Sequence, residues 1–254
     1  MARMILEDVD LEFRVDAMKH DTFRSAAARF LRRGTSRTIK TLQSVSLRIE
    51  SGERVGLIGH NGAGKTTLLK VMAGIYPPQR GRVLTEGHIC PLFEVVTGFE
   101  WDANGWENIR TRALLLGMSS REINRRIESI GEFSQLGEFL DIPVRHYSAG
   151  MHLRLAFATS AAVDPEVLLL DEVMATGDVS FIERARDRIY GLMERASIVV
   201  FATHSLDVLP QFCERTILLS HGRVVADGAT SEVVRQYREA GPSTPGAFSH
   251  GNAE

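Results

Sequence analysis

The eight residues GHNGAGKT at 59–66 limit the fold more than any other part of this 254-residue chain. They fit the pattern G-x-x-x-x-G-K-[ST] where that pattern has physical meaning, after the short apolar run ERVGLIG and before the helix-like TTLLKVMAG. Glycine at 59, 62 and 64 lets the backbone curl until its N–H groups face one point. The start of a helix adds unpaired donors and a positive dipole end. Lys65 brings a mobile positive charge to the same place, and the Thr66 hydroxyl supplies a hard oxygen ligand. The spacing predicts a strand–loop–helix unit that holds phosphates, and with it an α/β fold around a parallel sheet.

The remaining segments agree with that architecture. EVLLLDE and SIVVFATH are continuously apolar, as strands buried on both faces should be. ILEDVDLEF, VSLRI at 45–49 and RVLTEGHI have strand character, the first two alternating, and TILLSHGRVVADG reads as a hairpin turning at His221-Gly222. From about Asn104 to Asp164 the pattern is mainly helical, with Ser119-x-x-Glu122 forming a capping box. At 44% hydrophobic and 24% charged, with a net charge of −2, the chain has material for one substantial core with subdomains. No apolar run approaches the ~18 residues of a membrane span. The acidic start MARMILEDVDLEF lacks the apolar stretch of a signal peptide, so export is not expected. Cys90 and Cys213 are isolated, without metal-ligand spacing, and fit packing roles in a reducing cytoplasm.

Two segments stand apart. Residues 14–40 carry eight Lys/Arg against Asp16 and Asp21, and DTFRSAAARFLRRG sets Phe23, Ala27, Phe30 and Leu31 on one helical face. This basic insert reads either as a solvated surface helix or as a contact for membrane phosphates or a membrane-embedded partner. The turn-rich GPSTPGAFSHGNAE at 241–254 is expected to be disordered, which leaves 1–240 as the folded unit.

Three further constellations carry chemistry. In VLLLDE (167–172), Asp171 stands at a strand end, where it would hold Mg²⁺ through its water shell. Glu172 follows it and would orient or polarise an attacking water. His204 ends the next buried strand, and aligned strand ends would bring it near the terminal phosphate. YSAGM at 147–151 opens an apolar helix; its small residues suit either simple packing or the exposure of backbone N–H groups to an anion.

In this order, GHNGAGKT, YSAGM, VLLLDE and SIVVFATH resemble the nucleotide-binding subunit of an ATP-binding cassette (ABC) transporter, over roughly residues 1–240. The resemblance implies a RecA-like P-loop NTPase core with an antiparallel β subdomain and a helical subdomain at about 104–164. Gly59, His60, Asn61, Gly62, Ala63, Gly64, Lys65, Thr66 and Thr67 would form the Walker A loop around ATP, with Phe13 stacking on adenine. Thr66 and Asp171 would hold Mg²⁺, and Glu172 and His204 would be catalytic. Asp178 in DEVMATGD would be the D-loop aspartate. YSAGM falls where LSGGQ belongs, so Ser148, Ala149 and Gly150 would address an ATP held by a second copy in a homodimer. Ala149 replaces the first glycine and Met151 the glutamine. The usual Q-loop glutamine is missing, since Gln79 is the only Gln between Lys65 and Glu107; Glu94 is taken for that position.

FEVVTGFEWDANGWENI, YSAGMHLRLAFA, LLLDEVMATGD and the long basic insert are similar to ATPase subunits that export bacterial cell-surface polysaccharides of O-antigen, capsule or teichoic-acid type. That implies ATP hydrolysis driving export of a lipid-linked polysaccharide through a separate integral-membrane permease, at the cytoplasmic face of the bacterial inner membrane. The fourteen residues after 240 are too few for the carbohydrate-binding domain some exporters add, so substrate choice is expected to lie with the permease. The alternatives are an ABC ATPase for a different, small substrate, a soluble nucleic-acid-associated cassette using the basic segment, and a non-hydrolysing binding module. The chain has no second cassette or long coiled coil of the DNA-repair type, which makes nucleic acid the weaker partner.

Overall fold

Strands that alternate and strands that are apolar throughout fall into two different sheets. A computed structural model describes residues 2–15, 37–93, 98–171 and 179–240. The antiparallel sheet has three strands in the order β2-β1-β4: β2 (Arg37–Glu50), β1 (Arg3–Val15) and β4 (Arg80–Glu86). Its buried face includes Met4, Leu6, Val9 and Leu11. Leu6 and Val9 are three apart, an odd step that strict alternation would send to opposite faces. A bulge resolves this: three steps along β1 match two along β2, with Asp8 at φ +49°. The next step reverses the count, and Ser44 on β2 takes φ +49°.

The β1–β2 ladder is longer than alternation predicts. It continues through Phe13↔Ile39 to Val15↔Arg37, so both ends of the basic insert are strand. The amphipathic stretch between them lies outside the described residues, as does 241–254.

The second sheet has six strands in the order β5-β6-β7-β3-β8-β9. These are β5 (Ile89–Leu92), β6 (Val167–Asp171), β7 (Ile198–Ala202), β3 (Arg54–Ile58), β8 (Arg215–Ser220) and β9 (Arg223–Ala229). The first five are parallel, and β9 returns antiparallel through His221 (φ +47°) and Gly222 (φ +76°). Two successive positive φ values suit a two-residue hairpin, because they match the twist of the flanking strands. Every residue of β6 is buried, which is why VLLLD shows no polar alternation.

Helix α1 (Lys65–Met72) follows β3, and α2 (Gly105–Leu115), α3 (Ser120–Ser134) and α4 (Ala149–Ser160) follow β5. These three pack around Ile109, Ile130, Leu140, Val144, Leu155 and Ala158, a core of their own. Asn104 with Glu107 and Ser119 with Glu122 form complete capping boxes at the starts of α2 and α3. The C-terminal carbonyls beyond α4 accept from two arginines: Arg126 Nη1 to Ala162 O at 2.6 Å and Arg188 Nε to Ala161 O at 2.8 Å. The last helices are α5 (Val179–Arg195), α6 (Leu209–Phe212) and α7 (Thr230–Ala240). Among the described residues, no helix is long and apolar enough to cross a membrane.

Candidate functional site

Sheet order brings the chemistry together. β7 lies between β6 and β3, with Ala202 paired to Asp171 on one side and to Leu57 on the other. The loops leaving these three strands therefore share one edge of the sheet, where α/β proteins open their ligand sites. A cavity of about 460 Å³ occurs there, walled by Asn61 to Thr67, by Asp171, by Thr203 and His204, and by Thr41 of β2. His204 thus shares this cavity wall with the loop of residues 61–67.

Within the cavity wall, Lys65 Nζ donates back to its own loop, to Gly59 O at 2.7 Å and His60 O at 3.4 Å. Thr66 Oγ1 donates to Asp171 Oδ2 at 2.6 Å, joining residues 105 positions apart. Asp171 is 7% exposed, and its carboxylate meets this hydroxyl at the cavity wall. One hydroxyl and one carboxylate oxygen form a hard donor pair, which fits a small divalent cation such as Mg²⁺ that keeps most of its water. The phosphate loop is equally specific in shape. Gly64, at φ +109°, is the N-cap of α1, and a Cβ there would stand 2.9 Å from the Thr41 carbonyl oxygen.

The β8–β9 turn braces this loop, a role that no local pattern announced. Gly222 N–H donates to Ala63 O at 2.9 Å, and Gln43 N–H donates to Gly222 O at 2.8 Å. A Cβ at Gly222 would meet Thr41 O at 2.4 Å, so Gly64 and Gly222 close on the same carbonyl. The rings of His60 and His221 lie 4.8 Å apart beside this contact. His221-Gly222 is legible as a turn, but its target is a backbone contact far away in sequence. Thr41 is missed for the same reason: its carbonyl, not its side-chain type, matters.

Other expected residues lie elsewhere. Phe13 is 37% exposed, does not line the cavity, and rests edge-on against Tyr76 with ring centroids 5.3 Å apart. Ser148 is the N-cap of α4, its hydroxyl accepting from Met151 N–H at 3.3 Å, and Ser148, Ala149 and Gly150 are exposed away from the cavity wall. The body of α4, from Leu155 to Ser160, is buried. Tyr147 just before the turn donates its hydroxyl to Phe139 O at 2.5 Å. Burial, and then the Asp141 charge, push its phenol up to about 12. Arg112 in α2 stacks over Phe99 at 4.8 Å, and burial lowers its guanidinium to about 10. Glu94, Glu172 and Asp178 lie outside the described residues.

Comparison with known proteins agrees with this geometry. Residues 42–175 match the family described as ABC transporter. The ATP-binding protein of an O-antigen export system in Myxococcus xanthus is 39% identical over 246 residues, which is 94% of this chain and 56% of that protein. A counterpart in Yersinia enterocolitica is 44% identical over 192 residues, 76% of this chain and 80% of that one. A teichoic acids export ATP-binding protein of Listeria monocytogenes is 39% identical over 198 residues, 78% and 59% of the two chains. The chain thus spans less than two thirds of the Myxococcus and Listeria proteins. Among solved structures, an ATP-binding subunit of an ABC transporter superposes with a TM-score of 0.67 at 23% identity, covering 92% of each chain. A dimeric ATP-binding cassette bound to ADP and Pi gives 0.64 at 22% identity, covering 89% of this chain and 98% of that one. With a family match over more than half its length and a phosphate loop, acid and histidine gathered at one sheet edge, the chain belongs to the ABC transporter family.

Proposed function

We propose that this chain is the ATP-hydrolysing subunit of an exporter for a lipid-linked cell-surface polysaccharide of O-antigen or teichoic-acid type. It acts as a pair of copies on the cytoplasmic face of the membrane, beneath a separate permease. The observation that carries the reading is the convergence of Lys65, the Thr66–Asp171 pair and His204 on one cavity, in a chain whose relatives are export ATP-binding proteins.

The chain's own residues account for the steps. Loop amides from Gly62 to Thr66 bind the β- and γ-phosphates, and Lys65 exchanges the Gly59 and His60 carbonyls for phosphate oxygens. Thr66 and Asp171 would hold Mg²⁺, which neutralises charge on the transferring phosphoryl group when bound. Glu172 orients the attacking water, and His204 steadies the γ-phosphate while charge develops. Phe13 stacks on adenine from outside the phosphate cavity. The exposed turn of Ser148, Ala149 and Gly150 addresses the ATP of the second copy, at the start of a 12-residue helix whose dipole favours an anion. Asp178 and Glu94 act at the junctions with the second copy and the permease.

Closing the pair from 1:99 to 99:1 takes roughly 5.5 kcal/mol of differential binding. A few charge-assisted hydrogen bonds at ~1.5–3 kcal/mol each are enough. Loss of the γ-phosphate removes that link, and the pair reopens.

The test pairs two substitutions. Glu172→Gln should accumulate an ATP-bound dimer, seen by size-exclusion chromatography, with turnover lowered about 100-fold or more. Wild-type turnover would remove Glu172 from the chemistry. Lys65→Ala should abolish ATP binding measured by calorimetry, and undiminished affinity would contradict the loop assignment. Identification of the membrane protein that purifies with the chain decides between a polysaccharide permease and one for a small substrate.

A further inference from the structure

His152, the residue that follows YSAGM, is 7% exposed and enclosed by three aromatic rings. The centroids of Phe99, Trp101 and Tyr147 stand 5.3, 5.2 and 5.6 Å from its imidazole. Its Nδ1 lies 3.1 Å from the Ser148 carbonyl oxygen. A carbonyl only accepts, so Nδ1 carries the proton and donates. Nε2 is buried and, among the described residues, makes no hydrogen bond. The ring therefore has one polar contact, and it is to the first peptide of the turn.

That carbonyl is doubly engaged, because it also accepts the His152 backbone N–H at 3.0 Å, the first bond of α4. In a trans peptide, C=O and the following N–H point in opposite directions. Holding Ser148 C=O back along α4 aims the Ala149 N–H forward, out of the exposed helix start. A donor on the carbonyl also polarises that peptide and strengthens its N–H as a donor. The slot is itself firmly built. Phe99 and Trp101 belong to the segment before α2, where Asn108 Nδ2 gathers the carbonyls of Glu100, Ala103 and Asn104 at 3.0, 3.2 and 2.9 Å.

The geometry points to His152 as a positioning residue that aims the Ala149 amide at the phosphate of the second copy's ATP; it rests on the in-trans reading of the turn given above. A packing role alone asks only for a ring in an aromatic slot. A positioning role asks for a donor at Nδ1. Two substitutions separate these demands. His152→Phe keeps the ring and deletes the donor. His152→Asn gives up the ring but sets an amide nitrogen near the place of Nδ1.

Thermal melting, ATP affinity of the isolated copy and steady-state ATPase are measured on the full chain. His152→Phe should keep its Tm and Kd for ATP but lose about tenfold in kcat. His152→Asn should melt lower yet hold kcat within about threefold of wild type when assayed below its Tm. The opposite order, with Phe active and Asn inactive, overturns the assignment in favour of packing. Should the Asn variant fail to fold, the Phe variant decides: full turnover overturns the assignment, and a tenfold loss at native Tm and Kd supports it. Ser148→Arg keeps the two failures apart. If it hydrolyses ATP normally, the in-trans reading itself falls; if it is inactive while His152→Phe is fully active, only the His152 assignment falls.

Discussion

At Thr41 the main chain performs a task that its side chain does not advertise. Its carbonyl faces Gly64 and Gly222 together, while its hydroxyl donates to Leu11 O at 2.9 Å and ties β2 to β1. The phosphate loop is thus held from outside by a hairpin more than 150 residues away in sequence. Gly222→Ala should show this. The new Cβ meets the Thr41 backbone at 2.4 Å, and the residue must also keep φ +76°, which by itself costs about 1–2 kcal/mol. The expected result is a lower Tm together with weaker ATP binding, although the residue does not line the cavity. An unchanged Kd for ATP would show that the hairpin does not support the loop. Sequence reading finds Lys65, Thr66 and Asp171 because the pattern is written in their side-chain types, and all three line one cavity. It finds neither Thr41 nor the target of Gly222, because contacts between backbones leave no mark on residue type beyond a glycine.

Among the elements, those with their own local signals were the most legible. VLLLD and IVVFA are continuous apolar runs and sit side by side within the sheet, IVVFA between VLLLD and β3. The Ser119–Glu122 box is present in both directions, with Ser119 N–H on Glu122 Oε2 at 2.8 Å and Glu122 N–H on Ser119 Oγ at 3.3 Å. The Ser119 hydroxyl, donating to Glu122 Oε2 at 2.6 Å, and then the Ser119 N–H hold the Glu122 carboxyl below its ordinary range. Ser119→Ala should lower stability by about 1 kcal/mol, read as a small fall in Tm, with ATP affinity unchanged. A loss of ATP binding would mean that α3 bears on the cavity directly. Less legible were the limits of β1 and β2. Three register shifts interrupt the alternation on which strand reading depends, and the ladder then runs from Glu12↔Lys40 to Val15↔Arg37 through mixed polar and apolar positions.

For the whole molecule, the central question is why a helix start suited to an anion stands apart from the cavity that holds the phosphate loop. Ser148, Ala149 and Gly150 are exposed and line no part of that cavity. On the proposed reading each ATP is shared, with Lys65 from one copy and Ser148 from the other, and two-fold pairing makes both sites alike. A mixing experiment tests this. Ser148→Arg should bind ATP as an isolated copy with wild-type affinity, because its own phosphate loop is intact, and it should fail to close the pair. Lys65→Ala should fail for the opposite reason. A mixed pair contains one site with both faults and one with neither, since intact Lys65 of the first variant meets intact Ser148 of the second. Random pairing makes half the dimers mixed, so equal mixing should restore up to about a quarter of wild-type turnover if the sites act independently. Two inactive proteins that together hydrolyse ATP require a site built from both. If the mixture is no more active than its components at protein concentrations that favour pairing, YSAGM does not address the ATP of another copy. Its small residues then return to the simpler task of opening a buried helix.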